Sequence, residues 1–151
     1  MKNNKKLCSK CKVEEVVNNG YCSACKSEYD NARKSMYLYL IEVNGVIEYV
    51  GQTDLIQRRM SYHINGHCES TRHLFRDGIK PQIKFLDVSH IVNDRMELNV
   101  LENELMWLYE PRCNEVKNII RGIDKLRIFS LQSGLHSLNN QWSVYEHCKK
   151  S

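Results

Sequence analysis

Four of the seven cysteines in this chain are paired at a spacing that suits a metal ion. Cys8 and Cys11 form one C-x-x-C turn, Cys22 and Cys25 form a second, and ten residues that include Asn18-Asn19-Gly20 separate the pairs. Two such turns aim four thiolates at one point, which is the tetrahedral set that Zn²⁺ prefers. Two disulfides or a redox dithiol fit less well, because neither a secretory signal nor a strand–helix unit accompanies the pairs. The spacing therefore predicts a structural zinc finger.

Positive charge is concentrated in the same part of the chain. Residues 1–35 contain 8 Lys and Arg against 4 Asp and Glu, whereas residues 36–151 contain 14 of each kind. A basic segment attached to a balanced body favours a polyanionic partner, although a solvated tail has the same composition.

The composition, with 42% hydrophobic and 26% charged residues, is that of a globular protein. The sequence contains no run of about 20 apolar residues, and no apolar segment follows its basic N-terminus. We therefore expect a cytoplasmic protein with no membrane partner.

The elements that must position any further chemistry begin with a hairpin. Residues 36–43 and 46–50 are β-rich, and Asn44-Gly45 between them is a strong hairpin signal. Gly51 to Asp54 is expected to end the second strand, with Thr53 or Asp54 as the N-cap of a helix over 55–64.

A third strand is expected at 83–88, after Pro81, and a short helix at 70–76. Asn93 or Asp94 is expected to cap a helix that runs to about Glu110 and is ended by Pro111. The core stripe of this helix consists of Leu98, Leu101, Leu105 and Leu108. Segments 116–129 and 135–147 have helix-compatible patterns, interrupted at Ser133-Gly134. These elements predict an α+β fold with an antiparallel three-stranded sheet flanked by helices.

Five short motifs in this order resemble those of the GIY-YIG nuclease family. Tyr37-Leu38-Tyr39 and Tyr49-Val50-Gly51 resemble the paired motif that names the family. Further motifs resemble the family's arginine helix, its glutamate helix and its P-x-x-N tail, and they lie at 55–58, 101–105 and 111–114. One departure is clear, because Tyr37 stands where the family has its first glycine. The similarity implies a GIY-YIG-like nuclease domain at 36–115. The cysteine spacing predicts the zinc finger at 1–34, and residues 116–151 are expected to form a helical extension.

The resemblance also implies a role for each site residue. Glu102 would bind Mg²⁺, a cation that prefers oxygen ligands. Arg58 would hold a nonbridging phosphate oxygen, with the adjacent Arg59 as its rival. Tyr39 and Tyr49 would lie near the nucleophilic water, Tyr39 as general base or as the group that orients the water. The remaining expected roles belong to Tyr62, at a position that the family fills with Tyr or His, to His63 as an alternative base, and to Asn114 as support for the backbone.

The two tyrosines can share a pocket only if the hairpin is irregular. A two-residue turn at Asn44-Gly45 would pair Val43 with Val46 and place Tyr39 and Tyr49 on opposite faces. A three-residue loop over 43–45, with a left-handed Gly45 and a bulge, would instead pair Tyr39 with Tyr49 and Ile41 with Ile47. We predict this bulged hairpin.

The resemblance therefore implies a Mg²⁺-dependent endonuclease that hydrolyses double-stranded DNA, with the zinc finger aiding DNA binding. A single active site cuts one strand at a time, so a transient dimer on DNA is one route to a double-strand break. The alternative is a catalytically inactive zinc-finger protein that binds nucleic acid or acts as an adaptor. The presence of Tyr39, Tyr49, Arg58 and Glu102 together favours the enzyme.

Overall fold

The computed structural model of the protein describes residues 35–114 and 116–146. The predicted zinc ligands Cys8, Cys11, Cys22 and Cys25 lie outside the described residues, so the zinc finger and its boundary at residue 34 stay predictions. Within the described ranges, none of the helices combines the length and apolar character needed to cross a membrane.

The described residues form an antiparallel sheet and three α-helices, which confirms the α+β class. The strands are β1 (Tyr37–Val43), β2 (Val46–Thr53), β3 (Gln82–Asp87) and β4 (Ser143–Val144), in the spatial order β2-β1-β3-β4. The prediction of three strands was wrong, because the two-residue β4 is too short to leave a sequence pattern. The predicted break after residue 50 was also wrong, because Gly51 to Thr53 continue to pair with β1.

The turn between β1 and β2 is tighter than predicted. Asn44 and Gly45 both have positive φ, 51° and 80°, and Val43 pairs with Val46. This two-residue turn matches the right-handed twist of the flanking strands. The predicted three-residue loop was therefore wrong.

The irregularity lies inside β2 instead of at the turn. Glu42 pairs with Ile47 and Ile41 pairs with Tyr49, so Glu48 is an extra residue on β2. This bulge shifts the pleat by one residue and returns Tyr49 to the face that carries Tyr39 and Ile41. The predicted pairs Tyr39–Tyr49 and Ile41–Ile47 were wrong, but the prediction that both tyrosines share one face is confirmed.

The helices are α1 (Ile56–Ile64), α2 (Arg95–Tyr109) and α3 (Lys125–Ser137), and the predicted short helix at 70–76 is a 3₁₀ turn over Arg72–Phe75. Asp94 caps α2 by accepting a hydrogen bond of 2.9 Å from the Glu97 N–H. The N-cap of α1 is Leu55, and the Thr53 hydroxyl accepts from the Leu55 N–H, so the predicted cap was wrong.

Residues 116–124 are not helical, and α3 runs through the predicted interruption. The Asn103 side chain explains the first difference, because it pairs with both the N–H and the C=O of Asn118, at 2.7 and 2.8 Å. Close packing explains the second, because a Cβ on Gly134 would lie 2.9 Å from Cγ2 of Ile91. Gly134 therefore lets α3 pack closely against Ile91 and does not break the helix.

The two faces of the sheet carry different cores. The aliphatic face packs Leu38, Leu40 and Val50 against α2 and α3, whose buried members include Leu101 and Leu131. The aromatic face packs Tyr39, Ile41, Met60, Leu74 and Ile83. Leu108 is 52% exposed, because the last turn of α2 projects beyond the aliphatic core, so its predicted place in the core stripe was wrong.

Candidate active site

A pocket of about 570 Å³ lies beside β2, the strand at one edge of the sheet. Segments that are far apart in the sequence meet there: β2, the loop before the 3₁₀ turn, α2 and the stretch that follows α2. The residues that line the pocket are Tyr49, Glu69, Ser70, Glu102, Cys113, Asn114 and Val116. Three of the predicted site residues therefore face one space.

A cluster of three rings adjoins this pocket. The ring centroids of Tyr39 and Tyr49 are 6.0 Å apart, and those of His63 lie 5.4 Å from Tyr39 and 5.3 Å from Tyr49. The Tyr39 hydroxyl is 2.7 Å from Nε2 of His63, whose Nδ1 is 2.7 Å from the hydroxyl of Thr71. Tyr39, His63 and Thr71 are almost completely buried, so this hydrogen-bonded chain is shielded from solvent.

Gly51 is required by the position of the Tyr39 ring. The two residues are cross-strand neighbours, and a Cβ on Gly51 would overlap the atoms of that ring. The third residue of the Y-V-G motif thus makes room for the second tyrosine of the Y-L-Y motif. Tyr37, which replaces the family's first glycine, packs edge-on against Phe85 at 6.1 Å.

The ring cluster is electrically neutral near pH 7. Burial raises the pKa of Tyr39 well above its ordinary value, and burial also raises the pKa of Tyr49. Burial, with a further contribution from the Arg59 charge, lowers the pKa of His63 to about 4. Both phenols are therefore protonated, and the imidazole carries one proton.

The structure brings Arg59 to this cluster and leaves Arg58 exposed. The Arg59 charge acts to lower the pKa values of Tyr39, Tyr49 and His63, although burial outweighs it for the tyrosines. Arg59 precedes His63 by four residues, which places both on one face of α1. Arg58 lies about 100° further round the helix and points to solvent. The structure therefore places Arg59, and not the predicted Arg58, beside the ring cluster.

Tyr62 lies on the outside of the cluster. Its side chain is 41% exposed, and its ring meets that of His63 at 5.9 Å. The Arg59 guanidinium lies 5.5 Å from the centre of the Tyr62 ring. His63, and not Tyr62, contacts the hydroxyl of Tyr39.

Glu102 enters the pocket from α2 and is 8% exposed. Its Oε2 accepts hydrogen bonds from Nε2 of Gln52 and, at 2.8 Å, from Nδ2 of Asn118. Gln52 also donates to Oδ1 of Asn99 at 2.6 Å, and its own Oε1 is buried without a hydrogen-bond partner. Within residues 35–114 and 116–146, Oε1 of Glu102 accepts no hydrogen bond. Sequence reasoning missed Gln52 and Asn118, because an amide that orients a carboxylate has no spacing rule.

The Pro111–Asn114 segment holds the edge of β2. The Asn114 side chain accepts from the Val50 N–H and donates to the Val50 C=O, both at 2.8 Å. The Cys113 N–H donates to the carbonyl of the bulge residue Glu48 at 2.9 Å. The segment therefore bonds three backbone groups on the strand edge from which Tyr49 reaches the pocket.

Arg112 from the same segment forms a two-pronged ion pair with the buried Glu48 carboxylate, with an Nε–Oε2 distance of 3.0 Å. These hydrogen bonds hold the pKa of Glu48 below its ordinary value. Sequence reasoning also missed this pair. The ion pair joins the bulge residue Glu48 to the segment that follows α2.

The donor set fits a cation that takes few protein ligands. Among the residues that the structure describes, no three His, Cys, Asp or Glu side chains are grouped to hold a metal ion. Glu102 offers one buried carboxylate beside a pocket with room for water and phosphate oxygens. Mg²⁺ is commonly bound by one or two carboxylates together with waters and substrate phosphates, so this set suits it.

The fold and the pocket together define an α+β domain whose polar site lies at a sheet edge. A family model described as the GIY-YIG catalytic domain matches residues 34–116, which is more than half of the chain. The chain belongs to the GIY-YIG family. This membership implies a nuclease, a hydrolase that acts on the phosphodiester bonds of nucleic acid. Searches of curated proteins and of solved structures gave no significant match.

Proposed function

We propose that this protein is a Mg²⁺-dependent endonuclease that hydrolyses double-stranded DNA in the pocket beside β2. The observation that carries the proposal is that Tyr49 and Glu102, which come from different elements, line one pocket beside the Tyr39–His63 pair. Hydrolysis of a phosphodiester needs an activated water on one side of the phosphorus and stabilisation of the leaving oxygen's negative charge on the other. These groups can supply both.

Glu102 is the residue that would hold the metal ion. Its Oε2 is occupied by Gln52 and Asn118, and its Oε1 is left for a cation. When bound, Mg²⁺ polarises a phosphate oxygen and stabilises the leaving oxygen.

The aromatic cluster would activate the water. Tyr49 faces the pocket, Tyr39 lies behind it, and the Tyr39 hydroxyl is bonded to Nε2 of His63. With its proton on Nδ1 and directed at Thr71, neutral His63 would accept the Tyr39 hydroxyl proton at Nε2 while the Tyr39 oxygen takes a proton from the water. An anionic phosphate near the cluster raises the basicity of the imidazole, which favours this transfer when substrate is bound.

Arg59 would hold a nonbridging oxygen of the scissile phosphate. Its guanidinium is permanently charged and already acts on both tyrosines and on His63. Charge that develops on the phosphate in the transition state is offset at this position. We therefore assign to Arg59 the role that the sequence interpretation gave to Arg58.

A neighbouring groove offers a surface for the nucleic acid. It shares Asn114 and Val116 with the pocket and adds Trp107 and Lys117. Trp107 is 69% exposed, and the Lys117 ammonium lies 4.8 Å from the centre of its ring. The ammonium group on this exposed surface suits a backbone phosphate of the duplex. The basic N-terminal segment, with a zinc ion on Cys8, Cys11, Cys22 and Cys25, would add affinity, and a transient dimer on DNA would allow both strands to be cut.

The test uses the full chain, a supercoiled plasmid and Mg²⁺, with Glu102→Gln beside Glu104→Gln as a matched control. Glu104 lies on the same helix but bonds Gln132 and His136 instead of facing the pocket. We expect nicking by the wild type and by Glu104→Gln only when Mg²⁺ is present, and a loss of at least about 100-fold for Glu102→Gln. DNA binding without nicking by the wild type would instead support the inactive adaptor. Equal nicking by both variants would contradict the site.

A further inference from the structure

We propose that Asn118 is a positioning residue that fixes the Glu102 carboxylate and thereby sets the affinity of the site for a divalent cation. The inference rests on the proposed function and extends it beyond the catalytic domain that the family model matches, which ends at residue 116.

The hydrogen bonds of Glu102 single it out among the buried and half-buried glutamates of the described residues. Glu42, Glu48 and Glu97 form ion pairs with Lys84, Arg112 and Arg127, and Glu104 bonds His136. Within the described part of the chain, both donors to Glu102 are neutral amides, from Gln52 and Asn118. Amides orient a carboxylate without cancelling its charge, so the negative charge stays available to a cation.

Both amides bind the same oxygen. Nδ2 of Asn118 lies 2.8 Å from Oε2 of Glu102, and Nε2 of Gln52 bonds the same atom. Two donors from opposite segments fix the rotation of the carboxylate about its last bond. Oε1 is thereby kept free for a ligand, although Glu102 as a whole is 8% exposed.

Asn118 is itself held in place by the residue next to Glu102. Asn103 accepts from the Asn118 N–H at 2.7 Å and donates to its C=O at 2.8 Å. With both backbone groups bound, only the side-chain rotamer of Asn118 remains to be set, and the bond to Glu102 sets it. Asn103 of α2 thus holds the Asn118 backbone, and the adjacent Glu102 accepts a hydrogen bond from the Asn118 side chain.

Removal of the Asn118 amide should free Glu102 to rotate and should weaken cation binding. Loss of a group that orients a metal ligand commonly lowers metal affinity about 10- to 100-fold. The bond to Gln52 remains in such a variant, so we expect a decrease near the lower end, about 10-fold.

The experiment measures Mn²⁺ binding by the full chain from the electron paramagnetic resonance signal of free Mn²⁺, which needs no cleavage. Asn118→Leu removes the donor at similar volume, and Asn118→Ala is a second variant in case leucine does not fit. Gln132→Leu is the matched control, because it removes an amide–carboxylate bond of 2.9 Å to Glu104 on the same helix. Glu102→Gln gives the binding that does not depend on the site.

We expect both Asn118 variants to bind Mn²⁺ about 10-fold more weakly and Gln132→Leu to bind it as the wild type does. In plasmid nicking, the Mg²⁺ concentration for half-maximal rate should rise by the same factor, and the rate at saturating Mg²⁺ should change much less. Wild-type Mn²⁺ affinity in a folded Asn118 variant would overturn the inference and leave the proposed function intact. Wild-type affinity in Glu102→Gln would overturn both.

Discussion

The two faces of the sheet use the same strands for different purposes. On the aliphatic face, Leu38 and Leu40 of β1 meet α2 and α3 through side chains that bear no titratable group. On the aromatic face, Tyr39 lies between them in sequence and is bonded to a neutral histidine. Alternation along one strand therefore places a stabilising core and a hydrogen-bonded ring cluster on opposite sides.

The candidate site lies at a sheet edge because it uses groups from both faces. Tyr49 belongs to the aromatic face, whereas Gln52 points to the other side of β2 and meets Glu102 on α2. A group from one face reaches a group from the other only where the sheet ends. Asn114, which bonds both backbone groups of Val50, holds that edge.

The largest effect on the cleavage rate is expected from a substitution on the aromatic face. Arg59→Ala should lower the single-turnover cleavage rate by about 100- to 1,000-fold, because it removes a charge aimed at the transition state. Arg58→Ala should change that rate by no more than about twofold, since Arg58 is an exposed helix residue. Quench-flow kinetics at saturating Mg²⁺ measure both. The reverse order of effects would assign the chemistry to Arg58.

A substitution on the aliphatic face should show the opposite pattern. Leu131 of α3 is completely buried, and Leu131→Ala should lower the free energy of unfolding by about 3 kcal/mol through lost contacts and a cavity. The cleavage rate, measured well below the melting temperature, should stay near that of the wild type. If the cleavage rate of this folded variant fell as far as that of Arg59→Ala, the aliphatic face would take part in the chemistry, contrary to this account.

A smaller effect concerns the pH dependence of stability. The pKa of His63 is about 4 in the folded chain and 6.5 in the unfolded chain, so between these values the unfolded state binds more protons and stability falls as the pH falls. From pH 7 to pH 5 the loss from this residue should be about 2 kcal/mol. Urea unfolding of the wild type and of His63→Gln at both pH values isolates the His63 contribution. Glu48 and Glu97 contribute equally to the pH dependence of both proteins. Parallel losses in the two proteins would mean that His63 is not held neutral by burial.

Local signals in the sequence were sufficient for most of the elements. Asn44-Gly45 predicts the hairpin, and Asp94 with a leucine stripe predicts α2, because turn chemistry, caps and periodicity act over a few residues. The position of the bulge could not be predicted in this way. Glu48 is held by Arg112 and by the Cys113 N–H, and no pattern within β2 reveals partners 64 or 65 residues away.

The candidate site was predicted in part for the same reason. Short motifs predict Tyr39, Tyr49 and Glu102, which lie in or beside the pocket. Which of Arg58 and Arg59 reaches the ring cluster depends on where α1 begins and which of its faces is buried. The bond from Asn118 to Glu102 was missed because it depends on the two hydrogen bonds between the Asn103 side chain and the Asn118 backbone. These bonds hold a non-helical segment where the sequence pattern favours a helix. Side-chain bonds to backbone groups overrode local propensity at this point.

We expect that water, activated in the pocket beside β2, attacks the phosphorus of a nucleic acid. Single-turnover cleavage in ¹⁸O-enriched water, followed by mass spectrometry of the phosphate-bearing products, tests it directly. We expect one solvent oxygen on the new terminal phosphate for the wild type, and loss of labelled product for Glu102→Gln and for Arg59→Ala. Cleavage without ¹⁸O incorporation, or labelled product formed equally by those variants, would contradict the claim.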